Sequence, residues 1–251
     1  MSDSIDVKCE ERVMTVTINR PEKKNAITQD MYATMAAALK QYGEDDALRA
    51  FVITGEGDMF TAGNDLQDFA IGGQGGKPPV VDFLEAIADC PKPMIAAVNG
   101  PGIGVGLTML LHCDLVYAGQ SATLSAPFVN LGVVPEAASS MLLPAAVGMA
   151  VANDVLLTGR TLSADEAHQY GLVARVFPDA DLRAEVAKIA QGVAASAPTA
   201  MRQSKALIRR QKQEVAACMV TEGKIFAEQL QSPEFAESVA AKMQKRAPVF
   251  A

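Results

Sequence analysis

The chain is poor in metal-ligating side chains: two histidines and four cysteines in 251 residues. Cys9, Cys90, Cys113 and Cys218 never fall at CxxC spacing, and only Cys113 has a histidine beside it, His112. Adjacent side chains on a helix diverge, so that pair makes a poor metal clamp. Reduced, buried thiols of a cytoplasmic protein are the expectation. No apolar run approaches the ~20 residues that a membrane helix needs. Basic charge is also in deficit. With a formal net charge of −7 the chain has no surplus to meet a phosphate backbone, which argues against nucleic acid as the main partner. The opening MSDSIDVKCEE shows no basic-then-apolar leader, and the closing APVFA is not an S-K-L address. The expectation is a soluble, cytoplasmic protein without a metal site.

What is present suits a sizeable core, since 49% of the residues are apolar. Residues 13-VMTVTIN-19 alternate as a half-buried strand does. The stretch 20-RPEKKNAI-27 reads as a loop, 28–43 as a helix stopped by Gly43, and 51-FVITG-55 as a buried strand. A loop entering a short helix follows at 59–69. The glycine- and proline-rich 72-GGQGGKPP-79 reads as a linker or a flexible flap; strand–helix alternation resumes at once, which favours the flap. A helix is expected at 82–90, strands at 94–100, 114–119 and 123–127, and a helix body at 106–112. Ser163 and Glu166 form a capping box. A last strand at 172–177 precedes long helices over roughly 179–246. The fold class is α/β with an α-rich tail.

The stretch 98-VNGPGIGVGLTMLLHCD-114 sets glycines at alternate positions, between an apolar strand and an apolar helix. A dinucleotide fingerprint needs glycines at i, i+2 and i+5. The last place holds Val105 or Leu107, depending on the register, and no lysine is present for a Walker loop. A backbone role remains. Glycines let main chain approach a ligand, and the first amides of a helix starting near Val105 or Gly106 lack internal partners. Such amides are good donors to an oxyanion, with a second donor coming from another loop.

Several ordered segments resemble the crotonase, or enoyl-CoA hydratase/isomerase, superfamily. They are 19-NRPEKKNAI-27, 60-FTAGNDLQDF-69, 95-IAAVNGPGIGVG-106, 113-CDLVYAG-119, 158-TGRTLSADEAHQYGLV-173 and 242-KMQKRAPVF-250, and they span nearly the whole chain. The resemblance implies a spiral of ββα repeats over 1–195. It implies a C-terminal helical region over 196–251 that builds trimers, often paired as hexamers. The implied ligand is a coenzyme A thioester, which is substrate rather than separate cofactor. The implied oxyanion donors are the amides of Ala62 and Val105. The segment 61-TAGND-65 also reads as a turn capped by Asn64 or Asp65, and the two roles can coexist.

The chain departs from the hydratases of this superfamily, which use two glutamates. Thr108 stands at the first of those places and Phe128 at the second. Neither side chain is a general base near neutral pH. Glu136, the only carboxylate between Asp114 and Asp154, lies in an apolar stretch that disfavours its ionised form. Its Pro-Glu step resembles that of Δ3,Δ2-enoyl-CoA isomerases, where one glutamate carries the proton. A helix N-terminal acid is the plainer alternative. The resemblance further assigns Lys23, Lys24, Ala26 and the backbone of Ala62, Gly63, Asn64, Asp65 and Leu66 to the coenzyme side, with Lys245 approaching late in the chain. Phe128, Leu131 and the 70–80 flap are candidates for the acyl pocket. Asp114, His112 and His168 are expected to be structural or exposed.

Overall fold

The computed structural model describes residues 2–65 and 77–250. Two strands open the chain, β1 (Ile5–Glu10) and β2 (Val13–Ile18), followed by helix α1 (Gln29–Glu44), β3 (Ala50–Gly55) and α2 (Pro79–Asp89). Next come β4 (Met94–Val98), β5 (Gly102–Ile103), the short α3 (Val105–Thr108), β6 (Leu115–Gly119) and β7 (Thr123–Ser125). The second half holds α4 (Ser139–Val147), α5 (Met149–Thr158), β8 (Leu162–Ser163), α6 (Ala164–Gln169) and β9 (Arg175–Phe177). It ends in α7 (Leu182–Ala195), α8 (Pro198–Ile208), α9 (Lys212–Gln229) and α10 (Pro233–Met243).

The main sheet has six strands in the order β1-β2-β3-β4-β6-β9. Only β1 and β2 are antiparallel; the other neighbours run parallel. Parallel interior strands are covered on both faces, and every residue of β3 and β4 is buried. Side-chain alternation divides them cleanly. Phe51 and Ile53 of β3 join the large core beneath α1 and α2, with Met94, Ala96 and Val98 of β4. Ala50, Val52, Ile95, Ala97 and Tyr117 face the other way, onto α7. That helix presents Leu182, Val186, Ala190 and Ala194, one buried residue per turn at spacing four. A second sheet of three short strands, β5-β7-β8, sits where the glycine-rich stretch turns into α3.

Local chemistry sets most ends. Thr28 caps α1 by accepting from the Met31 amide at 3.4 Å. Gly43 lies inside α1 rather than stopping it; the helix runs to Glu44 and Asp45 closes it. Helix α2 starts at Pro79, ahead of the expected 82, because proline suits the first helical position. Lys77 beside it pairs with Asp82 and Glu85, so this end of the expected flap is tied to α2; residues 70–76 of it lie outside the described residues. Strand β1 was not expected. It has one buried residue, Ile5, and gains its place by pairing along the whole of β2. That edge position leaves Cys9 exposed, against the expectation of buried thiols, while Cys90 and Cys113 are buried. The capping box of Ser163 and Glu166 opens α6 as expected.

The C-terminal helices are braced to the rest. Asp114 receives the Met94 amide at 2.8 Å and pairs with Lys205 at 2.8 Å and Arg209 at 3.4 Å, which ties α8 to the sheet. Phe226, Leu230 and Phe235 of the last helices and their turn pack against the large core. No helix among the described residues is long and apolar enough to cross a membrane.

Candidate active site

Three chain segments are hydrogen-bonded to one another, and the last of them leads into the helix whose Thr108 holds Glu136. The first is the loop of residues 20–27. Asn25, fully buried with a left-handed φ of 54°, donates to the carbonyls of Glu56 and Met59 at 2.9 and 2.6 Å. Its own carbonyl accepts from the Thr61 hydroxyl at 2.7 Å. This buried amide joins the loop to the second segment, 59–65, where the Ile27 amide donates to Gly63 at 2.8 Å and Asp65 donates back to Ile27 at 2.9 Å. The third segment is the glycine-rich turn into α3, joined to the second by the amide of Ile103 donating to Thr61 at 3.0 Å. A Cβ on Gly63 would lie 2.8 Å from the Ile103 carbonyl, and the φ there is +88°, so only glycine permits this approach. Gly104 serves differently: its φ of 59° and ψ of −116° turn the chain into α3, and its amide is held by Ser125 at 2.8 Å.

Which backbone amides could meet a ligand depends on which are already engaged. Val105 is the first residue of α3, and its amide has no partner among the described residues, as helix geometry requires. Ala62 fails the same test. Its amide donates to the Lys24 carbonyl at 3.0 Å, and that of Gly63 donates to the Thr61 hydroxyl at 3.1 Å. The amide of Asn64 meets no acceptor among the described residues. Of the two donors that the resemblance implied, Ala62 is thus already engaged, while the amide of Asn64, two residues on, is not engaged among the described residues. Its side chain is held from outside, because the Tyr32 hydroxyl donates to the Asn64 Oδ1.

Glu136 lies beside the third segment. Its Oε1 accepts from the Thr108 hydroxyl at the end of α3, so the carboxylate faces the turn that carries Val105. The residue keeps part of its surface open. Burial pushes its carboxyl up to about 7, the Thr108 hydrogen bond works against that, and the charge of Glu222 adds a smaller push upward. The Tyr32 phenol is fully buried and is driven well above its ordinary value, by burial first and by the charge of Glu136 second. Tyr32 thus links both halves of the site.

The expected coenzyme residues are partly assembled. Lys23 ends the turn Pro21–Lys23 and Lys24 follows with a φ of 54°; both side chains are exposed beside the second segment. The half-buried Ala26 gives its carbonyl to Arg20 at 3.0 Å. Asp65 is engaged by Arg20 at 2.7 Å, a brace rather than a ligand-facing acid. Leu66 lies outside the described residues. Phe128 is a core residue and Leu131 packs on the same core, next to α10. Lys245 is exposed just after α10, and no contact among the described residues joins it to Lys23 or Lys24. Among the described residues no three His, Cys, Asp or Glu side chains gather as a metal site. His112 is buried and held by the Ala137 carbonyl at 2.8 Å, while Asp114 serves as the brace described above.

The family model for enoyl-CoA hydratase/isomerase matches residues 8–251. The chain belongs to that family. A rat relative, enoyl-CoA delta isomerase 2, is 42% identical over 220 residues, covering 85% of this chain and 56% of its own length. The chain thus spans little more than half of that relative. An Escherichia coli relative, 2,3-dehydroadipyl-CoA hydratase, is 35% identical over 258 residues and covers 100% of this chain and 99% of its own. Among solved structures, an enoyl-CoA hydratase/isomerase from Pseudoalteromonas atlantica T6c superposes with a TM-score of 0.96 at 57% identity, covering 99% of this chain and 100% of that one.

Reasoning from sequence passed over Tyr32, Asn25 and Glu222. A signal existed for the last. Cys218, Glu222 and Phe226 repeat at spacing four along α9, which places an acid on a face that turns inward.

Proposed function

We propose that this chain is an enoyl-CoA isomerase that moves the double bond of a 3-enoyl-CoA to the 2-trans position. The observation that carries the proposal is the acid Glu136, with a raised pKa, held by Thr108 at the turn that carries Val105, together with the amides of Val105 and Asn64, which have no partner among the described residues. The ionised carboxylate takes a proton from C2, and the electron pair moves into the thioester oxygen. The amides hold the dienolate that forms, a charge absent from the bound substrate, so they stabilise the transition state more than the ground state. The protonated Glu136 then returns its proton to C4. The double bond closes between C2 and C3, and the carboxylate is restored. A base near pH 7 suits both halves, because it must accept a proton and release it.

Hydration asks for more. It needs one group to activate water and another to protonate the neighbouring carbon. Thr108 supplies only a hydroxyl, which already donates to Glu136. Lys23 and Lys24, exposed on the loop before the second segment, are the proposed contacts to a coenzyme's phosphates, and the proposal takes the coenzyme as part of the substrate. The same proposal includes the spiral of ββα repeats, assembly as a trimer or dimer of trimers, and a cytoplasmic location.

The test is the ultraviolet appearance of conjugated 2-enoyl thioester from 3-enoyl-CoA. Wild type is expected to form it, and Glu136→Gln to lose about 10²–10⁴ in kcat while still binding the thioester. An inert wild type, or a variant as active as wild type, refutes the assignment.

A further inference from the structure

Glu136 is followed by two left-handed residues. Ala137 and Ala138 have φ of 57° and 56°, a region alanine rarely adopts. Strain of this kind persists only where surrounding groups impose it. They are identifiable here. Glu222 of α9, itself buried, accepts the Ala138 amide at 2.6 Å on one carboxylate oxygen. Its other oxygen accepts the Ser140 amide at 2.9 Å and the Ser140 hydroxyl. From the opposite side His112 donates to the Ala137 carbonyl at 2.8 Å. The His112 ring is held neutral, with burial pushing it down to about 4, so Nε2 carries its proton toward Ala137.

We infer that Glu222 is a positioning residue for the reaction: from the C-terminal helices it fixes the strained turn after Glu136 and so sets where the base meets the substrate. The inference rests on the isomerase reading of Glu136. Ser139 and Ser140 begin α4, whose first amides lack internal partners, and Glu222 serves as the cap that no residue of α4 provides. The Ala138 side chain at the capping position has no acceptor to offer. An acid supplied from elsewhere in the chain therefore does two things at once. It satisfies the helix start, and it leaves Glu136 one residue ahead of a locked pair.

The groups facing the base are few. Thr108 donates to it, Glu222 stands behind the turn, and the Tyr32 phenol lies within reach of its charge. Around Glu222 itself stand Ser140 and Cys218, whose thiol is 3.5 Å from the Ser140 hydroxyl. Removing the negative charge of Glu222 takes away an upward push on Glu136, so the acidic limb of the rate profile moves to lower pH. Removing only the geometry leaves the limb in place. Two substitutions separate these. Glu222→Gln keeps the shape and loses the charge; Glu222→Asp keeps the charge and draws it back by one methylene.

The experiment measures kcat and KM for 3-enoyl-CoA from pH 5 to 9 in wild type, E136Q, E222Q and E222D, with the folded fraction of each from circular dichroism. An active wild type and an inactive E136Q establish the base independently. Both Glu222 variants are then expected to lose roughly 10–100-fold in kcat with KM within a few-fold. The acidic limb is expected to shift down in E222Q and to stay in E222D. Variants that keep wild-type kcat, or that lose activity only in proportion to lost folded protein with the E222Q limb unmoved, overturn the inference. If E222Q does not fold, wild-type kcat in E222D overturns it and a kcat loss at unchanged KM supports it.

Discussion

The hydroxyl of Thr108 donates to the Glu136 carboxylate, and a hydrogen bond to the ionised form opposes the burial that raises its pKa to about 7. The sign of a substitution follows. Thr108→Val removes the donor, keeps the volume, and leaves burial unopposed, so the carboxyl titrates higher still. Only the ionised base abstracts the C2 proton, so the acidic limb of kcat/KM moves to higher pH and activity at pH 6.5 falls more than at pH 9. A pH–rate profile of the variant with its limb at or below the wild-type position contradicts this. Thr108 also shows how far the site was legible at this scale. Thr108 and a lone glutamate among apolar neighbours are both visible in the sequence. That Ala62 has its amide already engaged is not. Its amide is engaged by the carbonyl of Lys24, far upstream in the chain, and no local pattern around 61-TAGND-65 reports that bond. Which of Ala62 and Asn64 keeps an amide unengaged among the described residues is set by a tertiary contact.

Elements were legible where the signal was periodic or capped. The alternation of β2, the buried β3, the Thr28 start of α1 and the Ser163 capping box all survive in the structure. Strand β1 was missed because an edge strand with one buried residue carries little hydrophobic pattern. The two-residue strands β5 and β8 were missed because they are too short to show a period, yet β5 leads directly into the Gly104 turn that carries Val105. Here the backbone itself is the functional group, and its constraint is steric. Gly63→Ala sets a Cβ 2.8 Å from the Ile103 carbonyl at a φ of +88°. The strand-like contact between residues 61–64 and 102–103 must open to admit it. Strain at such a position costs about 1–3 kcal/mol. The expected outcome is a lowered melting temperature together with a loss of about 10²–10³ in kcat, since the Asn64 amide moves with its neighbour. A variant that loses stability but keeps full kcat would place the second donor elsewhere.

For the molecule as a whole, the apolar residues left uncovered are concentrated at the C-terminal end. Leu207 and Ile208 at the end of α8 are 76% and 79% exposed, and Val220 of α9 and Met243 of α10 are each 75% exposed. Large apolar side chains scattered singly are ordinary on a surface, but pairs such as Leu207–Ile208 at one helix end are unfavourable in water. These helices also hold the site, because α8 is tied to Asp114 through Lys205 and Arg209, and α9 carries Glu222. Covering their outer faces with other copies of the chain adds burial worth roughly 1.5–3 kcal/mol for each such side chain. That burial falls on the helices that brace the catalytic turn. Self-association and activity should therefore be linked. Sedimentation velocity is expected to find an assembly larger than one chain at micromolar concentration. The double substitution Leu207→Glu with Ile208→Glu is expected to shift it toward the monomer. The same variant should show lower kcat on dilution, as α8 and α9 lose their outer support. A variant that is monomeric yet turns over at the wild-type rate at every concentration would separate assembly from catalysis, and would leave the Glu222 contact to hold the base unaided.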